Sequence, residues 1–312
     1  MKPIATIRDG GLAHWAVRII TALVIVGVVI YIPTKTGNGL ITTATESLTL
    51  MAAAMALNLI LGYTGQISIG HSAFFGVGAY TTAVCVSRWG WSPWVTFPIA
   101  FAVAFVVGVI VSFPASRIKG VYLALVTLSL ALVFPNLLRW RKLSWLTGGG
   151  PGLPNKESQV QTTGFDIGRK AGQMRHFEVF GWDPFGDLRG QGAIPFYYWI
   201  AVIVAVVVYL VCRGVVKSRA GRALVAVRDN ETAAVMGVNL VATKAFAFGL
   251  SAGLCALPGS VVAIRIGSVS PDITSITLAG AITFLIVMVI GGAGSLWGPI
   301  VGAVLYSFIT DR

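Results

Sequence analysis

An all-α, polytopic helix bundle set in a membrane is the fold the sequence predicts, and three observations carry that prediction. Of the 312 residues, 56% are hydrophobic and only 11% are charged, against roughly a quarter charged in ordinary soluble domains. The apolar residues gather into runs near the length that crosses hydrocarbon, about 20 residues at about 1.5 Å of rise each. Short connections rich in Gly, Pro, Arg or Lys divide most of these runs. One transmembrane domain over 1–312 follows, with eight runs at 15–32, 40–61, 72–87, 94–113, 121–138, 195–212, 243–263 and 279–290, and a ninth at 299–310, hence about 8–9 spans.

The first run, preceded by Lys2 and Arg8 and carrying Arg18 near its start, could pass for a signal peptide. No small-x-small cleavage site follows it; the chain reads Tyr31-Ile32-Pro33-Thr34-Lys35, so the run is predicted to be a retained helix. The second run carries Glu46 and Asn58, groups costly enough in hydrocarbon to imply a cavity or a partner. Basic residues in short connections stay on the cytoplasmic side. With the amino terminus inside, alternation places Lys2, Arg8, Arg18, Arg117, Lys119, Arg213, Lys217, Arg219, Arg222 and Arg228 in the cytoplasm, and Lys35, Arg88 and Arg265 outside. Arg139, Arg141 and Lys142 disagree, but they begin a loop, 139–194, long enough to escape the rule. That extracytoplasmic loop is dense in Gly, Pro and Asp ("TGGGPGLP", "FGWDPFGDLRGQGAIP") and is predicted to be irregular. Its Trp145, Phe177, Phe180, Trp182 and Phe185 suit either interfacial anchoring or a landing surface for an outside partner.

The longest connection placed in the cytoplasm is 213–242, and "RDNETAAVMGVNL" (228–240) lies at its centre. Asn230 or Asp229 can cap a helix start, and Glu231 favours its positive end. Ala233 and Ala234 permit close approach, and Gly237 is predicted to let the chain turn without a Cβ penalty. A short helix outside the bilayer is the expectation.

Two further blocks stand out. "GYTGQISIGHSAFFGVG" (62–78) puts Gly62, Gly65, Gly70, Gln66, Ser68, His71 and Ser72 between two runs. With Asn58 they form either a pathway-lining break or a tight interhelical turn. His71 itself reads as a satisfied structural histidine, because no second ligand sits at metal spacing. Gly294, Gly298 and Gly302 recur every four residues, the spacing of small-residue helix contacts.

"ETAAVMG" resembles the Glu-x-Ala…Gly signature of ABC importer permeases. "LNLILGYTGQISIGHSAFFGVGAY" (57–80), "RDNETAAVMGVNL", "KAFAFGLSAGLCALPGS" (244–260) and "GGAGSLWGPIVGA" (291–303) together resemble the permeases of branched-chain amino-acid importers, the Liv-type M family, in the same order over about 40–306. The resemblance implies a second related permease subunit, two ATPase subunits that bind ATP and Mg, an extracytoplasmic substrate-binding protein, and a bacterial inner membrane. It implies that Glu231, Ala233, Ala234 and Gly237, preceded by Arg228 and Asp229, form the coupling helix that docks on an ATPase. Thr232 replaces the middle alanine of the signature. The family usually continues beyond "LYSFITDR", so a shortened or divergent carboxyl end is expected.

Urea or short amides are the alternative cargo in the same importer class, and an ATP-independent secondary transporter or channel is the rival class. After Glu46 the runs contain no Asp or Glu until Asp311, whereas ion-coupled transporters usually place such groups in the membrane. A membrane enzyme is disfavoured: no phosphate loop or HExxH motif is present, and His14, His71 and His176 are scattered. No cofactor or metal is expected in this chain. Cys85, Cys212 and Cys255 lack paired spacing and read as packing residues. The formal charge of +12 comes mostly from residues flanking apolar runs, which favours a lipid bilayer over nucleic acid as the partner.

Overall fold

A computed structural model describes residues 37–116, 121–153 and 194–310, together with Gly27, Val29 and 31–33. Most of the predicted first span, Arg117 and Lys119, and most of the outer loop (154–193) lie outside the described residues. The described helices are α1 (Asn38–Thr64), α2 (His71–Trp89), α3 (Pro93–Ser116), α4 (Val121–Leu138), α5 (Ser144–Thr147), α6 (Ile194–Lys217), α7 (Arg219–Asp229), α8 (Glu231–Ala234), α9 (Leu240–Ile266), α10 (Leu278–Gly291) and α11 (Gly298–Thr310), with a 3-10 turn at Thr274–Ile276. An isolated antiparallel bridge joins Leu153 to Val269.

Four described helices are long and apolar enough to cross a membrane: Asn38–Thr64, Pro93–Pro114, Ile194–Lys217 and Leu240–Ile266. Tyr122–Leu138, Leu278–Gly291 and Gly298–Thr310 are shorter apolar helices. The predicted span at 72–87 is α2, which is not among the four. Its polar Ser72 and Thr82 are buried with His71, and it packs between α3 and α9. A helix that faces protein need not match the apolarity of one that faces lipid.

The bundle is built around α9, which packs on α3, α2, α1 and α6. Small residues make that central position possible. A Cβ at Gly78 of α2 would lie 2.1 Å from the Ala256 carbonyl of α9, so the two backbones meet where only a glycine fits. Helices α10 and α11 pair with each other and pack on α1. Exposed apolar side chains line α3 (Val103, Val106, Ile110), α6 (Ile203, Val206, Leu210) and α11 (Val301, Val304, Phe308), while α9 is buried almost throughout. Several hydroxyls inside the spans bond their own helices. Thr45 donates to Ile41 O at 2.7 Å and Thr64 to Ile60 O at 2.5 Å, which removes their cost in an apolar setting.

Helix α1 ends beside α7, and α9 begins just after α8. Each of these two spans has 27 residues, about 40 Å of helix. The bundle therefore has a loop end, carrying α7 and α8, and a far end, carrying Glu46, Arg265 and the 267–277 connection. Arg139 forms an ion pair with Asp272 at the far end. The basic cluster that broke the charge pattern is thus partly neutralised there.

Candidate functional site

Side-chain caps shape the loop 218–239. Ser218 Oγ accepts from Gly221 N at 3.4 Å and opens α7. Asn230 Oδ1 accepts from Ala233 N at 3.0 Å and opens α8, and Asn239 Oδ1 accepts from Ala242 N at 3.1 Å and opens α9. Each oxygen satisfies an amide that has no partner within the helix. Of the two predicted caps, Asn230 serves, while Asp229 Oδ1 accepts from Arg228 Nε at 3.1 Å. Gly221, Leu224 and Val227 bury one face of α7.

The short helix is braced from behind. Lys244, the fifth residue of α9, donates to Glu231 Oε1 in an ion pair. Their side chains are 7% and 23% exposed, so water screens the pair less than a surface pair. The tip faces outward: Thr232, Ala233, Val235 and Gly237 are exposed, Met236 is 92% exposed, and only Ala234 is buried. One expectation needs correction. Gly237 is not among the glycines with positive φ, and a Cβ added there meets nothing within 4 Å. The turn after α8 therefore does not require glycine for backbone conformation or for packing against the described residues.

Arg228 joins the loop to the bundle. Its Nη1 donates to Gly62 O at 3.0 Å, and its stem lies over Gly65, which ends α1 in the left-handed region at φ 68°. Asn58, one turn before Gly62, bonds the α10–α11 loop twice. Its Nδ2 donates to Ser295 O at 2.8 Å, and its Oδ1 accepts from Gly294 N at 2.9 Å. A Cβ on Gly62 would stand 2.1 Å from Asn58 Oδ1 and 2.5 Å from Gly294 N. Three motif blocks far apart in sequence, at 58–65, 228–229 and 294–295, thus meet at one joint.

Gly298 and Gly302 hold α11 against α10. Cβ atoms there would lie 2.2 Å from Gly292 O and 1.9 Å from Val287 O respectively. The 65–70 segment is pinned to α4, since Ile69 N donates to Thr127 Oγ1 at 3.0 Å and a Cβ on Gly70 would meet Thr127 O at 2.8 Å. Gln66 is half-buried, and its amide donates to Ile60 O at 3.4 Å.

His71 is buried, with Nδ1 3.0 Å from Ser68 Oγ and Nε2 2.6 Å from Ser251 Oγ. Ser251 spends its own proton on Ala56 O at 2.5 Å. Its oxygen must therefore accept from Nε2–H, which leaves Nδ1 to accept from the Ser68 hydroxyl. Ser72 Oγ is buried without a hydrogen-bond partner among the described residues.

Apolar spans around a small-residue core, with a braced polar loop at one end, define a polytopic helical membrane protein. The chain belongs to the family described as branched-chain amino acid transport system, permease component, whose model matches residues 39–311. It is 31% identical over 282 residues to the high-affinity branched-chain amino acid transport system permease protein LivM of Escherichia coli strain K12, covering 88% of this chain and 63% of the relative. The protein of the same name from Salmonella typhimurium is 30% identical over the same shares. The ribose import permease protein RbsC of Haemophilus influenzae is 30% identical over 38% of this chain and 37% of its own length. The chain thus spans 63% of the length of its LivM relatives. No solved structure is significantly similar to it.

Sequence reasoning identified the loop but missed Lys244 as the brace of Glu231 and Met236 as its exposed tip. The lysine is the second residue of the apolar run 243–263, which was the available signal. Arg228's bond to Gly62 left none, because it ends on a backbone carbonyl that any residue carries.

Proposed function

We propose that this chain is a permease subunit of an ATP-binding-cassette importer of the bacterial inner membrane, carrying branched-chain amino acids handed over by an extracytoplasmic binding protein. A second related permease completes the pathway, and two ATPase subunits, which bind ATP and Mg, dock on the loop end. That end faces the cytoplasm, as does the amino terminus. Family membership and the LivM likeness support the cargo and the assembly.

The observation that carries the docking reading is the mismatch at the tip of the loop. Ala233 and Gly237 are small but exposed, beside a Met236 that is 92% exposed, and nothing among the described residues demands a missing Cβ at Gly237. Small residues beside an exposed apolar anchor fit a surface another chain approaches closely. Glu231, braced by Lys244, and Arg228 with Asp229 hold α8 rigidly enough to act as a lever. Arg228 passes its displacement to the ends of α1 and the α10–α11 loop, and two packings of the bundle supply the alternating states. Ser68, Gly70, His71 and Ser72 line one wall of the pathway, which the bonds of Ser68 and His71 hold in register while the outer helices move.

The test is Gly237→Trp in the co-expressed transporter. The expected result is an unchanged thermal midpoint for the isolated permease, with loss of co-purifying ATPase and of ATP-driven leucine uptake. A variant that retains its ATPase partners and its uptake rules out docking at this tip.

A further inference from the structure

Between α1, the end of α9, the 3-10 turn, α10 and α11 lies a cavity of about 360 Å³ at the far end of the bundle. Two opposite charges stand in its wall. Arg265 Nη2 donates to Glu46 Oε1 at 2.9 Å, with the side chains 20% and 54% exposed. We propose that this cavity is where the permease receives its cargo, and that Glu46 and Arg265 bind the ammonium and carboxylate of an α-amino acid with an apolar side chain. The inference rests on the importer reading above and adds to it a location and a recognition chemistry.

Four observations support it. The cavity lies on the opposite end of the two long spans from the coupling loop, so ATPases on one side leave it facing the side from which a binding protein delivers. Small-molecule pockets begin at about 300 Å³, so 360 Å³ fits a single amino acid better than a peptide or disaccharide. Thr283 and Thr310 line the cavity but donate their protons to Ala279 O and Tyr306 O of their own helices. Thr49, also in the wall, likewise donates to Glu46 O. All three therefore offer a guest acceptor oxygens, which suit an ammonium beside Glu46. Leu50, Val262 and Phe284 complete the wall with apolar surface for an aliphatic side chain.

The resting ion pair does not block this use. A partly exposed pair contributes little free energy of its own, and a zwitterion carries both charges on one carbon. It can slip between Glu46 and Arg265 by giving each a new counter-charge, so neither is left bare. A sugar or an uncharged amide has no means of replacing that pair.

The inference is tested on the assembled transporter in proteoliposomes, with radiolabelled L-leucine and saturating binding protein. Glu46→Gln and Arg265→Gln are each expected to lower leucine uptake at least tenfold while still co-purifying with the ATPases. The charge-swapped double variant, Glu46→Arg with Arg265→Glu, keeps an ion pair and so controls for folding. It is expected to assemble but not to recover uptake, because the swapped charges meet the amino acid in the wrong orientation. Recovery of wild-type uptake by the swap would mean that the pair is only a clasp between α1 and α9, and the inference would be wrong. Wild-type uptake in both single variants would overturn it equally. Those outcomes leave the importer reading intact, whereas a wild-type assembly that moves no branched-chain amino acid removes both.

Discussion

The two ends of this bundle are built on opposite plans. At the loop end, Asn58, Gly62, Arg228 and Gly294 interlock through short bonds to backbone groups, and the Glu231–Lys244 pair is largely shielded from water. At the far end, the helices enclose a cavity, and the ion pairs Arg265–Glu46 and Arg139–Asp272 stand partly or largely in solvent. Buried polar joints are costly to leave half-made, while exposed pairs give way cheaply. The loop end is thus knit by bonds to backbone groups, and the far end is held by pairs that water can reach.

Substitutions can break or sharpen this contrast. The largest expected effect is that of Gly62→Val, whose side chain must displace both Asn58 and the Gly294 backbone. A loss of about 3 kcal/mol is expected, read as a fall in the thermal midpoint of the detergent-solubilised permease. Asn58→Leu comes next. It keeps the volume but strands Gly294 N–H and Ser295 C=O, costing about 2 kcal/mol in the same assay. Smallest is Arg139→Ala at the far end. Its side chain and that of Asp272 are 43% and 67% exposed, so the shift should stay below about 1 kcal/mol and shrink further in high salt. If Arg139→Ala unfolds the protein as readily as Asn58→Leu, the two ends are not built differently.

Much of the bundle was legible because burial in a membrane writes itself as long apolar runs. The predicted runs at 40–61, 94–113, 195–212 and 243–263 fall inside α1, α3, α6 and α9 and miss only their ends. Those ends are set by groups that hydropathy does not weigh, such as the Asn239 cap and the left-handed Gly65. The loop was legible through its charges and small residues, but the reason offered for Gly237 was not the right one. A glycine that a turn requires and one that it does not look alike in sequence, and only φ and the space around the missing Cβ separate them. The far cavity was half legible. Glu46 announced a partner, but Arg265 lies 219 residues away, and nothing local ties the two together.

The proton chain from Ser68 through His71 and Ser251 to Ala56 O has a mechanical consequence. Each donor and acceptor in it is matched once, and its members belong to the loop before α2, to α2, to α9 and to α1. A slip of α9 along α1 by a single residue, about 1.5 Å, would break the chain and leave buried polar atoms without a replacement partner. These three helices therefore have one register and travel as a chassis. Any movement within the bundle must be taken up at its seams with the outer helices.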